Sequence, residues 1–230
     1  MREQKLTHPG LVKQIIALAL FKLLLNTARR FVYPFAPALS RGLFVPLTAI
    51  TSIIASCQFT SILGLFCGPL ADRLGYRSMM RFGLGILCAG MLLSGFFPVY
   101  WIVFLGLVAA SFGKTLFDPA IQAFLGQNIP FERRGRVIGT VEMSWAGSTL
   151  IGIPLLGVVI ANSNLRTSFF FLAFLGLMGW FSINRILPPD EKKSTGGWGL
   201  RELLLSLSQL MKNRQTAGML GFGFWISIAN

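Results

Sequence analysis

A short polar stretch joins two long apolar segments in the first third of the chain, and it reads Gly68-Pro69-Leu70-Ala71-Asp72-Arg73-Leu74-Gly75-Tyr76-Arg77. The apolar segments on either side carry almost no charge. Glycine permits a tight turn, and charged side chains require water or an ion-pair partner. We therefore expect this stretch to be a turn at the boundary between an apolar medium and water.

The composition predicts a membrane protein. Of the 230 residues, 53% are hydrophobic and 13% are charged, whereas a soluble domain has about 25% charged residues. The long apolar segments cover residues 11–39, 43–70, 79–98, 100–127, 136–161 and 167–187. Each reaches the ~20 residues that a helix needs to cross a ~30 Å hydrocarbon core. The sequence therefore predicts an all-α polytopic membrane protein with six transmembrane helices.

The positive charge of the chain indicates its orientation in a membrane. Its net charge is +13, and 15 Lys and Arg residues fall on one side of the predicted helices, against only Arg41 and Arg166 on the other. Cytoplasmic loops of membrane proteins are enriched in Lys and Arg. We expect an integral protein of a bacterial-type plasma membrane, with its N-terminus in the cytoplasm and the lipid bilayer, rather than nucleic acid, as its partner.

The sequence contains no pattern typical of a metal or cofactor site. Cys57, Cys67 and Cys88 lie inside apolar segments, and the single histidine, His8, lies in the N-terminal tail. There is no spacing of Cys and His residues that is typical of a metal site or a disulfide framework. We expect neither a metal nor a cofactor.

The chain divides into three predicted regions. Residues 1–187 form the six-helix bundle, and residues 188–215 form a cytoplasmic linker with an amphipathic helix. That helix either lies along the membrane surface or packs on the bundle. Residues 216–230 begin a seventh transmembrane helix that is too short to cross the bilayer, so we expect a truncated span.

The polar stretch resembles the signature loop between helices 2 and 3 of major facilitator superfamily transporters. The resemblance is carried by Gly68, Asp72, Arg73, Gly75 and Arg77, which match at the family's spacing. It implies the N-terminal half of that fold, a 3+3 inverted repeat, with a second six-helix half missing from this chain. It also implies that the Asp and Arg of the loop help to gate transport through contacts with that half, although the arginines are also explained as cytoplasmic anchors.

Helix 5 contains a second, partial match to the family. Gly147, Gly152, Pro154 and Gly157 resemble the glycine and proline motif of exporters that work by antiport, except that Ile153 replaces the glycine before the proline. A purely structural role is equally open, because small residues permit close helix packing and proline kinks a helix.

A third family motif, in helix 4, is missing. An arginine is expected four residues before Gly113, and Ala109 stands there. Lys114 can supply a positive charge nearby.

Several ionisable residues lie within the predicted helices 4 and 5. Lys114 and Asp118 share one helix face, Glu142 lies at a similar depth in helix 5, and Pro119 is expected to kink helix 4. Either Asp118 or Glu142 takes up a proton that drives transport, or the three residues form a structural ion-pair cluster. Gln122 extends this polar face and is a candidate lining residue of a substrate cavity.

Polar residues also form a stripe along helix 1. They recur at helical spacing as Lys22, Asn26, Arg29 or Arg30, and Tyr33. Helix 1 lines the central cavity in the resembled family, so Asn26, Arg29, Arg30 and Tyr33 are candidate substrate contacts. Alternatively, the two arginines reach the outer membrane interface; for Lys22 we expect a position at the inner interface.

The resemblance implies a secondary active transporter. We expect proton-coupled efflux of small amphipathic compounds. The alternatives are uptake of an organic anion or nutrient, favoured by the excess of basic groups, and a membrane fragment or scaffold that transports nothing. We do not expect an enzyme, since the sequence has no metal-binding histidine pair, no recognisable pair of nucleophile and base, and no phosphate-binding glycine loop.

Overall fold

The structure is a computed structural model that describes residues 9–190, apart from 62, 65, 66, 68, 69, 72 and 73, together with residue 218. Its fully described α-helices are α1 (Pro9–Arg30), α2 (Ala36–Leu43), α3 (Leu47–Phe59), α4 (Tyr76–Phe96), α5 (Tyr100–Asn128), α6 (Phe131–Gly147), α7 (Ile153–Asn162) and α8 (Leu165–Ile186). A π-helix, Ser148–Gly152, joins α6 to α7. The described residues contain no β-strand, so the predicted all-α fold class is confirmed.

Among the described residues, five helical segments are long and apolar enough to cross a membrane: Gly10–Arg30, Tyr76–Phe96, Tyr100–Asn128, Phe131–Asn162 and Leu165–Ile186. The bent pair formed by α2 and α3 makes a sixth if it is one span. Many large apolar side chains on the outside of these helices are exposed, which suits a lipid environment. The chain is thus a polytopic helical membrane protein.

The first two predicted segments are divided differently in the structure. Helix α1 ends at Arg30, and residues 40–42, expected to form a loop, lie within α2. The axes of α2 and α3 differ in direction by 119°. Phe44 ends α2 with a left-handed φ of 55°, and Pro46 precedes α3 in an extended conformation. Proline has no backbone N–H, so it stops the helix and redirects the chain.

Glycines allow α4 and α5 to pack with their backbones in contact. A Cβ atom added to Gly83 would lie 2.5 Å from the carbonyl oxygen of Gly113, and one added to Gly90 would lie 2.6 Å from that of Gly106. Real Cβ atoms essentially never approach so closely, and small residues of this kind are typical of helix contacts in membranes. These two glycine pairs set the distance between α4 and α5.

Helix α1 packs against α5, α6 and α8. Its buried apolar residues include Leu18 and Leu25, and the ring of Phe31 just beyond it makes an edge contact with Phe169 at 6.0 Å between centroids. Because α1 lies between α5 and α6, polar residues on those faces of α1 cannot reach the lipid. This arrangement positions the candidate site.

Most of the predicted linker and seventh helix lies outside the described residues. Of residues 188–215, only 188–190 are described, and of residues 216–230 only Gly218 is. The amphipathic helix, the truncated span and the boundary at residue 187 remain predictions.

Candidate functional site

A cavity of about 360 Å³ lies where α1, α5 and α6 meet. Its lining consists largely of polar and charged side chains, with one proline and one tryptophan: Lys22, Asn26, Lys114, Asp118, Pro119, Gln122, Glu142 and Trp145. Charged groups inside a membrane are costly and mark functional positions by default. This cavity is therefore the candidate site.

Two lysines and two carboxylates form a continuous ion-pair cluster in the cavity. The Nζ atom of Lys22 lies 2.5 Å from Oε1 of Glu142 and 3.9 Å from Oδ1 of Asp118. Lys114 forms an ion pair with the other oxygen of Asp118, one turn further along α5. Gln122 donates a 3.0 Å hydrogen bond from Nε2 to Oε1 of Glu142. The formal charges in the cluster cancel.

The structure brings Lys114, Asp118 and Glu142 into one cavity, and Lys22 joins them. Asp118 and Glu142 both contact Lys22, which bridges α1 to α5 and α6. Pro119 lies inside α5 next to Asp118 and removes one backbone N–H from the helix there.

The expectation that Lys22 reaches the inner interface is wrong. Its side chain is only 5% exposed. A buried ammonium group without a counter-charge is unfavourable by several kcal/mol, and here two carboxylates compensate for it. Asn26, one turn further along the same face of α1, is also buried. The helical spacing of Lys22 and Asn26 is the feature of the sequence that could have indicated that this face of α1 is turned inward.

Of the predicted substrate contacts, Asn26 and Gln122 line the cavity. Asn26 is 1% exposed and donates to Oγ of Ser144 at 3.4 Å; its Oδ1 has no hydrogen-bond partner among the described residues. Tyr33 lies outside the cavity lining, and its hydroxyl accepts a 3.1 Å hydrogen bond from Nε2 of Gln58.

Arg29 and Arg30 lie beyond the cavity, at the end of α1. Nη2 of Arg29 donates to Oε1 of Gln58 at 2.6 Å and to Oγ of Ser61 at 2.8 Å. Nη1 of Arg30 donates to Oγ1 of Thr149 at 2.8 Å and, at 3.4 Å, to the carbonyl oxygen of Trp145. The guanidinium of Arg30 also lies 4.2 Å from the centre of the Trp145 ring. Trp145 lines the cavity as well, so it connects the two regions.

The glycines of the motif predicted for the fifth span lie in α6, the π-helix and α7. They face α1 and the residues just after it. A Cβ atom added to Gly147 would lie 3.0 Å from Cδ1 of Leu23, and one added to Gly157 would lie 3.3 Å from the ring of Phe35. A Cβ atom at Gly152 would overlap the side chain of Thr27.

These three glycines allow the fifth span to approach the first closely. The motif's proline, Pro154, lies in the first turn of α7, directly after the π-helix. A π-helix in this position often accompanies a functional site.

The signature loop is described only in part. Gly68, Asp72 and Arg73 lie outside the described residues. Gly75 has a φ of 87°, a conformation that favours glycine. Arg77 donates from Nη2 to the carbonyl oxygen of Asn184 at 2.8 Å, so the loop is tied to the end of the sixth span.

The structure also reveals a residue that sequence reasoning assigned only to the linker. Asp190 accepts hydrogen bonds from the backbone N–H of Arg77 and of Ser78, each at 2.9 Å, and from Oγ of Ser78 at 2.8 Å. These are unpaired N–H groups in the first turn of α4, so Asp190 caps that helix from far along the chain. No local sequence pattern indicates a cap supplied across more than 100 residues.

In the part of the chain that the structure describes, no group of three or more His, Cys, Asp or Glu side chains lies together. The charged groups of the cavity form ion pairs with one another. Reversible protonation and the binding of a small polar or charged molecule are the chemistry that this arrangement allows.

Comparison with known proteins gives relatives that include multidrug resistance proteins. The chain is 28% identical over 158 residues to the multidrug resistance protein MdtH of Cronobacter sakazakii, covering 66% of this chain and 37% of that protein. It is 34% identical over 104 residues to MdtH of Shigella flexneri, covering 45% and 26%. The chain thus spans well under two thirds of the length of these relatives.

Solved structures share the fold at low sequence identity. A crystal structure of a mutant of the peptide transporter POT in complex with alafosfalin superposes with a TM-score of 0.67 and 18% identity, covering 96% of this chain and 47% of that one. The family profile described as the Major Facilitator Superfamily matches residues 18–230, which is most of the chain. By that match, the protein belongs to the Major Facilitator Superfamily.

Proposed function

We propose that the protein is a secondary active transporter that exports small amphipathic compounds from the cytoplasm in exchange for protons. Membership of a transporter family supports transport, and relatives described as multidrug resistance proteins support export. The observation that carries the proton coupling is the buried Lys22, which shares its charge between Glu142 and Asp118 inside the cavity.

Glu142 is the better candidate for the group that takes up the proton. Its side chain is 47% exposed, against 31% for Asp118, so water in the cavity reaches it more easily. Asp118 also has a second cation, Lys114, as a partner. Loss of the Glu142 charge leaves Lys22 and Lys114 to share the Asp118 carboxylate.

Protonation of Glu142 changes the contact between two helices. The ion pair from Lys22 to Glu142 joins α1 to α6, and neutral Glu142 no longer attracts the ammonium. Asp118, 3.9 Å from Lys22, is then its remaining anionic partner in the cluster. A proton thus shifts Lys22 from α6 towards α5, and this change in helix contacts can favour one of two transport states.

The cavity is expected to be completed by further helices. The chain spans 37% of its Cronobacter relative and 47% of the peptide transporter chain. We infer that a second six-helix half supplies the opposite wall, in a bacterial inner membrane. The proposed activity of the cavity is therefore to bind a substrate for transport, and not to make or break covalent bonds.

The test is transport by the intact natural protein in proteoliposomes with an imposed pH gradient. We expect Glu142→Gln to lose proton-driven movement of the probes, the cation ethidium and the anion naphthalene-2-sulfonate, while exchange without a gradient persists. Glu132→Gln is the matched control, because Glu132 is an exposed acid in the first turn of the same helix. Retained coupling in both Glu142→Gln and Asp118→Asn would contradict the proposal.

A further inference from the structure

Two adjacent arginines at the end of α1 are held by different neighbours. Arg29 is bound to Gln58 and Ser61 of the second span, and Arg30 to Thr149 and the Trp145 carbonyl of the fifth. In both cases a single guanidinium nitrogen makes these bonds. The remaining N–H groups of each arginine have no hydrogen-bond partner among the described residues, so each guanidinium is oriented but not saturated.

The partners of Arg30 lie deep in the fifth span. Trp145 and Thr149 are near the middle of the 32-residue segment Phe131–Asn162. Gln58 lies in the last turn of α3, and Ser61 lies two residues beyond the end of that helix. Arg29 and Arg30 are the last two residues of α1, and Arg30 reaches from there to the middle of the fifth span.

The charge balance around the arginines differs from that of the cavity. Each lysine of the cavity has a carboxylate partner, whereas no carboxylate forms an ion pair with Arg29 or Arg30 in the described ranges. All of their hydrogen-bond partners are neutral. A cation held within a membrane by neutral groups alone is costly, and an anionic ligand would remove that cost.

We propose that Arg29 and Arg30 form a binding site for the anionic group of the transported compound, a carboxylate, sulfonate or phosphate on an apolar body. The inference rests on the proposed transport function and specifies its substrate class. Guanidinium groups bind such anions through paired hydrogen bonds. The apolar body lies towards Trp145, whose ring and neighbours link the arginines to the cavity.

The test measures direct binding to the intact protein in phosphatidylcholine nanodiscs, with naphthalene-2-sulfonate and its neutral analogue naphthalene-2-sulfonamide as probes. We expect the sulfonate to bind more tightly. Arg29→Gln and Arg30→Gln should each weaken sulfonate binding about tenfold, as expected for a hydrogen bond between charged groups, and leave sulfonamide binding unchanged. Arg41→Gln is the control, because Arg41 is an exposed arginine in α2.

A lipid headgroup offers the same chemistry as a soluble anion, and a second arm separates the two sources. Adding phosphatidylglycerol to the nanodiscs should not weaken sulfonate binding if the site takes soluble compounds. If phosphatidylglycerol weakens sulfonate binding to the wild type but not to the double variant Arg29→Gln/Arg30→Gln, the site is assigned to a lipid phosphate instead. Arg29→Lys and Arg30→Lys retain the charge and replace the Gln variants if those fail to fold; they should bind the sulfonate with intermediate affinity.

Equal binding of the sulfonate and the sulfonamide, or sulfonate binding by the double Gln variant within about twofold of the wild type, would overturn the inference. Binding in nanodiscs needs no proton gradient, so it is independent of coupling. If Glu142→Gln and the wild type both lack proton-driven transport but bind the sulfonate, the proposed function fails and the anion site stands.

Discussion

At the scale of single residues, Lys22 connects the three helices that form the candidate site. It is buried in α1 and contacts carboxylates from two other helices. Removing one partner of a fully buried ion pair costs about 3–5 kcal/mol, because the remaining charge is left uncompensated. Glu142 is about half exposed, so solvent screens part of that cost here. The cluster is therefore expected to contribute to stability as well as to coupling.

We predict that Lys22→Met lowers the stability of the protein by about 1–3 kcal/mol, since it leaves Glu142 without its cation. Thermal unfolding in detergent, followed by size-exclusion chromatography, measures the effect. The double variant Lys22→Met/Glu142→Gln should recover part of the loss, because no unpaired charge remains at that contact. Lys13→Met, at an exposed lysine of the same helix, is the control. Additive losses in the double variant would indicate that the pair is not coupled.

At the scale of helices, Asp190 links the end of the sixth span to the start of the third. It accepts three hydrogen bonds from Arg77 and Ser78 in the first turn of α4. A carboxylate at a helix N-terminus also interacts favourably with the helix dipole. The adjacent Gly75 accommodates this contact, because a Cβ atom there would overlap the Asp190 carboxylate. The turn and the cap thus depend on each other.

We predict that Asp190→Ala destabilises the first turn of α4 by about 0.5–2 kcal/mol, the usual cost of losing a helix cap. Faster hydrogen exchange at the backbone amides of Arg77 and Ser78 would report the loss. Ser78→Ala removes only one of the three hydrogen bonds and should have a smaller effect. Unchanged exchange in Asp190→Ala would mean that the cap does not hold the turn in solution.

At the scale of the whole molecule, the distribution of charge predicts the orientation of the bundle. The connection between α5 and α6 precedes a cluster of arginines, Arg133, Arg134 and Arg136, whereas the connection between α7 and α8 is followed only by Arg166. Positively charged loops remain in the cytoplasm. The first connection is therefore expected inside the cell and the second outside.

We predict that a membrane-impermeant maleimide labels Ser163→Cys in intact cells and labels Arg133→Cys only after the cells are opened. Both positions are exposed in the structure. The native cysteines Cys57, Cys67 and Cys88 are buried free thiols, and alanine replacements provide a clean background. The opposite labelling pattern would reverse the orientation and place the N-terminus outside.

Much of the fold could be predicted from the sequence, because the lengths of apolar segments depend only on local composition. Sequence reasoning also identified Lys114 and Asp118 as neighbours, since residues four apart share a helix face. It was wrong about Lys22 and about the break between α2 and α3. The direction in which Lys22 points depends on how α1 docks between α5 and α6.

The sequence by itself determined the all-α membrane class, the spans after the first two to within a few residues, and the presence of charges inside them. Only the tertiary structure decided which charges meet. Lys22 and Glu142 are 120 positions apart, and Asp190 lies 113 residues from Arg77. The helical repeat determines which residues of one helix share a face. Contacts between distant helices also require the rotation and axial position of each helix, which packing of the whole bundle sets.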